Sequence, residues 1–232
     1  SISVRVLTEN RAEALALLKT ALMQPRFDPD AVERVRQQVL SILASDAQDP
    51  TDTAQRVWAE QAFGDHAYGT AYQGTESSIA ELTRADFLAA HQNLLVRDTL
   101  SVSAVGDITA EDLGPILDNL VGDLPAGSAL ETAPMKLDIP AGLTVVDIPT
   151  PQSVAFFGHK GIDRAHPDFF AAFILNTILG GRGIESRLTA EVREKRGLTY
   201  GISTVLISKD QANVMLGQVA SANDRIGAAI EV

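Results

Sequence analysis

Between Gly122 and Pro140 the chain carries three prolines and two glycines and no apolar period. Neither a continuous helix nor a central strand runs through such a stretch, because proline breaks the hydrogen-bond pattern of both. The 232 residues therefore divide into two parts, each of which must bury an apolar face of its own. The expected boundaries are a domain part over 1–122, a linker over 123–140 and a second domain part over 141–232.

The first part alternates helices with short strands. Ile2–Leu7 alternates as a strand, and Asn10 precedes a helix over Arg11–Met23 that stops before Pro25. Asp28-Pro29 opens a second helix on which Val32, Val35, Val39 and Ile42 form one apolar stripe. Asp49-Pro50 opens a third, carrying Val57, Trp58 and Phe63, with Gly64 as its C-terminal stop. A long loop over 65–75 follows. Thr83 with Asp86 and Thr109 with Asp112 have capping-box spacing, and Thr99–Val105 reads as a strand between the helices they start.

Beyond the linker, strands are expected near Leu143–Ile148 and Ser153–Gly158. Pro167 suits the first turn of an apolar helix ending at Gly180-Gly181. A further helix over about 185–196 carries Ile184, Leu188 and Val192 on one face, and Leu198–Ile207 with Ala212–Ala220 reads as a hairpin. A last helix starts near Asn223-Asp224. The two ends resemble each other: Val4–Leu7 followed by Glu9-Asn10-Arg11 parallels Leu216–Val219 followed by Asn223-Asp224-Arg225. This suggests a duplicated unit of about 200 residues, sampled from mid-unit to mid-unit. Strands mixed with hairpins and helices, without strict βαβ order, make the fold class α+β.

Composition removes several functions. There is no cysteine, which excludes disulfide frameworks, thiolate zinc sites and thiol nucleophiles. Nineteen Lys+Arg against thirty Asp+Glu leave a net charge of −11, which argues against nucleic acid and anionic membranes as partners. The longest apolar run, Phe169–Leu175, is too short to span a bilayer, so no membrane insertion is expected. The chain is read as a soluble piece of a longer protein, with periplasm and cytoplasm both open as compartments.

Chemistry is sparse. His66, His91, His159 and His166 form no H-x-x-H or H-x-x-E-H pair, so structural or solvated roles are expected and no metal site is readable. Gly180-Gly181-Arg182-Gly183 follows a helix and lacks a P-loop lysine, which makes it a turn between helices rather than a phosphate cradle. Its glycines still allow close backbone approach of a ligand. No G-x-S-x-G elbow occurs. The segment Glu191–Tyr200 admits two readings. As structure alone it is a charged helix end, with Lys195 and Arg196 near the C-terminal dipole, followed by a strand. As chemistry it offers Arg193 and Tyr200 as two donors able to converge on one carbonyl, by charge and by a phenol hydrogen bond.

The run from Ile178 to Tyr200, Leu179-Gly180-Gly181…Ser186-Arg187-Leu188…Val192-Arg193-Glu194-Lys195-Arg196-Gly197-Leu198-Thr199-Tyr200, resembles the pitrilysin-type inverse zincins, the family of insulin-degrading enzyme and mitochondrial processing peptidase. Pro25-x-Phe27, Asp49-Pro50, Tyr68-Gly69, Gly74-Thr75 and Val105-Gly106-Asp107 agree with it, so the resemblance covers nearly the whole chain. It implies two homologous α+β domains with sheet-plus-helix layers, of which 1–122 holds the later part of the first and 141–232 the earlier part of the second. It also implies that Arg193 and Tyr200 bind peptide backbone and stabilise the tetrahedral intermediate, with Gly180, Gly181 and Gly183 beside the substrate.

One departure is decisive. Where active members read Val-Leu-x-Glu-Ile on the long helix, this chain reads Val39-Leu40-Ser41-Ile42-Leu43. Ile42 stands at the third zinc-ligand position and cannot coordinate a metal. By the resemblance the chain is the non-zinc-binding subunit of a heterodimeric metalloendopeptidase. It would carry no cofactor itself, with zinc in a partner subunit bearing H-x-x-E-H, and peptide as substrate. Two other readings stay open: a non-enzymatic scaffold of the same fold, and a self-sufficient peptidase with an unusual third ligand.

Overall fold

The computed structural model describes residues 2–128, 131–181, 183 and 185–232. Along the chain lie α1 (Arg11–Met23), α2 (Pro29–Asp46), α3 (Pro50–Phe63), α4 (Glu76–Glu81), α5 (Arg84–Leu94), α6 (Ala110–Val121), β1 (Gln152–Lys160), α7 (Phe169–Gly180), a π-helical turn (Thr189–Glu194), β2 (Gly201–Ser208), β3 (Asn213–Ala222) and α8 (Ile226–Glu231). Helices with a small antiparallel sheet make the fold α+β, as expected. Among the described residues no helix is long and apolar enough to cross a membrane.

Two compact units are present, Ser1–Gln37 with Ala80–Glu131 and Gln38–Ile79 with Thr132–Val232. The chain passes from one to the other inside α2, inside α4 and within the stretch expected to be a linker. The described residues of 123–140 are in neither helix nor strand.

In the first unit the helix starts follow local chemistry. The Thr83 hydroxyl accepts from Asp86 N while Thr83 N donates to Asp86 Oδ2 at 2.7 Å, a reciprocal capping box. Thr109 caps α6 by accepting from Asp112 N at 3.1 Å. Asn10 makes no such bond, because a 3₁₀ turn over Thr8–Asn10 leads directly into α1. Packing within the unit is tied by polar contacts. Lys19 Nζ donates to Asn119 Oδ1 at 3.0 Å and pairs with Asp123 at 3.2 Å, which joins α1 to α6. Phe27 stacks on Phe87 with ring centroids 5.6 Å apart.

The sheet lies in the second unit, in the order β1-β3-β2, with both pairings antiparallel. Because side chains alternate along a strand, Val214 and Val219 of β3 point to opposite faces. Val214 joins Ala62 and Phe63 of α3 and Ala212, with Trp58, Tyr68, Leu137, Ile139 and Leu216 packed around them. On the other face Val219 joins Ile202 of β2, Val192 of the π-helical turn and Ala229 of α8. Ile202 and Val219 are direct cross-strand partners. Tyr68 braces the hairpin loop: its hydroxyl accepts from Gln211 N at 3.4 Å, and Lys209 Nζ sits 4.5 Å from its ring centroid.

Several sequence expectations differ from the structure. Ile2–Leu7, Thr99–Val105 and Leu143–Ile148 alternate like strands, yet 2–7, 100–105 and 143–148 carry no ladder. Their apolar side chains stay exposed, Val105 and Leu143 among them. Alternation records the capacity to pair; a ladder also needs a neighbouring strand, and none of the described residues supplies one. The stripe on α2 is not fully covered either, since Val35 and Ile42, seven residues apart on one face, are 48% and 41% exposed. The expected helix over 185–196 is a shorter π-helical turn, and its Ile184 falls outside the described residues.

Val219, 1% exposed, is the test of the core on that face. Val219→Ala should lower the unfolding free energy by about 2 kcal/mol through lost burial and a residual cavity. Equilibrium urea denaturation measures it, and a loss below about 0.5 kcal/mol would mean that the cluster closes over the gap.

Candidate functional site

The motif residues converge on the segment between α7 and β2. α7 lies against β2, where Asn176 Nδ2 donates to Thr204 O at 3.3 Å. At the end of α7 the fit is close: a Cβ on Gly180 would stand 2.5 Å from Thr204 Oγ1 and 2.9 Å from Thr204 N. Glycine at 180 is thus required by packing on a strand whose backbone has no room to yield. Gly181 follows as the cap of α7, its N–H donating to Thr177 O at 3.3 Å. Gly183 has φ +147° and open space where a Cβ would be. Arg182 and Ile184 lie outside the described residues.

Ser186 then restarts the helix. Its hydroxyl accepts from Thr189 N at 3.3 Å and bonds to Thr189 Oγ1 at 2.9 Å, an N-cap in geometry. The next turn is widened: Lys195 N donates to Ala190 O, five residues back, at 3.0 Å. Val192, fully buried, anchors this turn in the core and leaves its neighbour Arg193 facing out. Gly197, at φ +60°, reverses the chain. The reversal is closed by two backbone bonds, Gly197 N to Arg193 O at 2.9 Å and Leu198 N to Val192 O at 3.0 Å. Arg193 and Tyr200 consequently stand on the two arms of one turn.

Charges on the turn are sorted by Glu191. Its carboxylate accepts from Lys195 Nζ at 2.6 Å and from Arg196 Nη1 at 2.7 Å, and Arg196 Nη1 also donates to Glu191 O at 2.7 Å. These two cations, Lys195 first, hold the Glu191 carboxyl down at about 2. The E-x-x-x-K spacing was readable as an i,i+4 pair; that Arg196 would join it was not, because its reach depends on the widened turn. Arg193 is different. It is exposed and makes no side-chain hydrogen bond or ion pair among the described residues. Tyr200 is 90% exposed, and no described residue bonds to its hydroxyl.

The histidines are spent on backbone. His66 Nε2 meets Ala133 O at 2.8 Å, His91 Nε2 meets Leu22 O at 2.6 Å, His159 Nδ1 meets Lys160 O at 2.6 Å, and His166 Nδ1 accepts from Asp168 N at 3.1 Å. No group of three or more His, Asp or Glu among the described residues could hold a metal ion. Ile42, half exposed on α2, offers no donor atom. Among the described residues, the side chains present do not fit zinc.

Comparison with known proteins places this turn in a family. The family described as "Peptidase M16 inactive domain" matches residues 81–232, more than half of the chain, and the chain belongs to the M16 peptidase family. It is 29% identical over 197 residues to an uncharacterised zinc protease of Mycobacterium tuberculosis, covering 83% of this chain and 45% of that one. It is 27% identical over 202 residues to the non-peptidase homolog YmxG of Helicobacter pylori, covering 87% and 46%. The crystal structure of a peptidase M16 inactive domain from Pseudomonas fluorescens superposes with a TM-score of 0.85 at 28% identity, over 97% of this chain and 54% of that one. The chain thus spans about half the length of these relatives.

The Glu191 clamp has a defined pH window. A carboxyl whose folded value is below its ordinary 4.5 binds fewer protons folded than unfolded, so its contribution is complete above the ordinary value and disappears as pH falls through about 2. Carboxyl-carbon NMR of the folded chain should show Glu191 titrating near that lower value. A midpoint at the ordinary value would mean that Lys195 and Arg196 do not hold it in solution.

Proposed function

We propose that this chain is the accessory subunit of a heterodimeric M16-type metalloendopeptidase. In this reading 1–122 and 141–232 belong to two homologous domains joined by 123–140. The chain's own contribution is the pair Arg193 and Tyr200, which hold a peptide carbonyl and the charge that develops on it, while a partner subunit bearing H-x-x-E-H supplies zinc. The open face at Gly183, with Gly180 and Gly181 shaping the turn before it, lets an extended peptide backbone approach.

The observation that carries the reading is the sorting of charge on the turn. Glu191 occupies Lys195 and Arg196, whereas Arg193 and the Tyr200 hydroxyl are held outward on an ordered turn without an intramolecular partner among the described residues. Donors left uncommitted in this way are available to a developing oxyanion. Ile42 at the ligand position, and the description of one relative as a non-peptidase homolog, support a role without a metal of its own.

Two measurements test this. Dialysed chain should hold no stoichiometric zinc by metal analysis; about one tightly bound zinc per chain would favour the self-sufficient peptidase. Reconstituted with its zinc-bearing partner, Tyr200→Phe should cut turnover roughly a hundred- to thousandfold, the cost of one lost oxyanion donor, about 2.7–4 kcal/mol. Arg193→Lys keeps the charge but loses the planar fork, so peptide binding should weaken. Both variants should melt with the wild type. Unchanged cleavage by both would instead favour a scaffold of the same fold.

A further inference from the structure

Among the described residues none bonds to the Tyr200 hydroxyl, so the backbone on either side of it sets where the residue stands. The last backbone pair of the β2–β3 ladder is Gly201 with Ala220. Continued in register, the ladder would next pair Tyr200 with Ser221 and draw the tyrosine into the sheet. Two hydroxyls take over at this point instead. Thr199 Oγ1 lies 2.5 Å from Ala220 O and 2.8 Å from Gly201 O, and accepts from Gly201 N at 3.0 Å. Ser221 Oγ donates to Leu198 O. Both residues are buried, Thr199 to 7% and Ser221 to 4% exposure, whereas Tyr200 between these tie points is 90% exposed.

We propose that Thr199 and Ser221 are positioning residues for Tyr200. Their hydroxyls replace backbone pairing at the end of the ladder and fix the chain on both sides of position 200, so the tyrosine stays at one place while the backbone leaves the strand for the Gly197 turn. The hydroxyl proton of Thr199 serves one carbonyl at a time, and its oxygen simultaneously receives Gly201 N–H; a valine of the same shape supplies neither. Arg225 Nη1, donating to Gly197 O at 3.2 Å, braces the far side of the same turn.

The functional side of this proposal rests on Tyr200 acting as a donor to peptide; the structural side does not, and the experiment separates them. The chain is labelled with 3-fluorotyrosine, and its three tyrosine resonances are assigned by Tyr→Phe changes at 68, 72 and 200. Binding of fluorescein-labelled β-casein, an unfolded probe, is read by anisotropy. Thr199→Val and Ser221→Ala should each shift and broaden the Tyr200 resonance while Tyr68 stays in place as the control for folding. Thr199→Ser, which keeps the hydroxyl, should restore the wild-type resonance. Tyr200→Phe should weaken casein binding about two- to tenfold, the loss of one hydrogen bond; Thr199→Val should approach that loss and Thr199→Ser should recover it. An unmoved Tyr200 resonance in both Thr199→Val and Ser221→Ala overturns the positioning role, even where Tyr200→Phe binds poorly. Wild-type casein binding by Tyr200→Phe overturns the donor reading instead, and with it any functional use of the two hydroxyls. Should Thr199→Val fail to fold, which the Tyr68 resonance reports, Ser221→Ala and Thr199→Ser decide the question.

Discussion

Burial of β3 on both faces is the constraint on which the second unit depends. A strand with one dry face tolerates water on the other, but β3 sends Val214 into contact with α3 and Val219 into contact with the π-helical turn and α8. Its register is therefore fixed from two sides, since a slip of one residue would exchange both sets of side chains. Everything attached to β3 inherits that precision. β1 and β2 pair with it, α7 seats on β2, and the reversal at Gly197 hangs between α7 and the end of β2.

The turn from 186 to 200 shows how such a core orients an exposed turn. One residue, Val192, goes fully inward and orients the whole turn. Its neighbour Arg193 is then forced outward, and the widened helical geometry lets Arg196 as well as Lys195 reach Glu191. Five charged residues within six positions would ordinarily form a mobile, mutually screened surface. Here the carboxylate engages two cations, Lys195 and Arg196, and leaves Arg193 without an ion pair among the described residues. The same separation of duties holds at Tyr200, where buried hydroxyls on either side carry the structural work and the phenol is left free.

The first unit illustrates the opposite case. α5 and α6 are capped as their sequences dictate and α1 is tied to α6 by Lys19, Asn119 and Asp123, yet none of the residues of these three helices is buried. The extended segments 2–7 and 100–105 leave apolar side chains in water.

Local features were legible from residues alone wherever their cause is local. Thr83 with Asp86, Thr109 with Asp112, Asp49-Pro50 and Gly64 announce helix ends because a cap bonds across three residues. The hairpin of β2 and β3 announces itself because its two strands are joined by a few residues. The motif around Arg193 and Tyr200 was legible as well. Strand alternation at 2–7, 99–105 and 143–148 was legible only as capacity, since pairing requires a second segment that alternation does not name. What the tertiary structure alone decided is which donor is free and which is held. That Thr199 and Ser221 clamp the chain around Tyr200 depends on residues 22 positions apart meeting at the end of a ladder, and that Gly180 must be glycine depends on Thr204 of another element. Such contacts are set by register and packing between elements, which no window of neighbouring residues encodes.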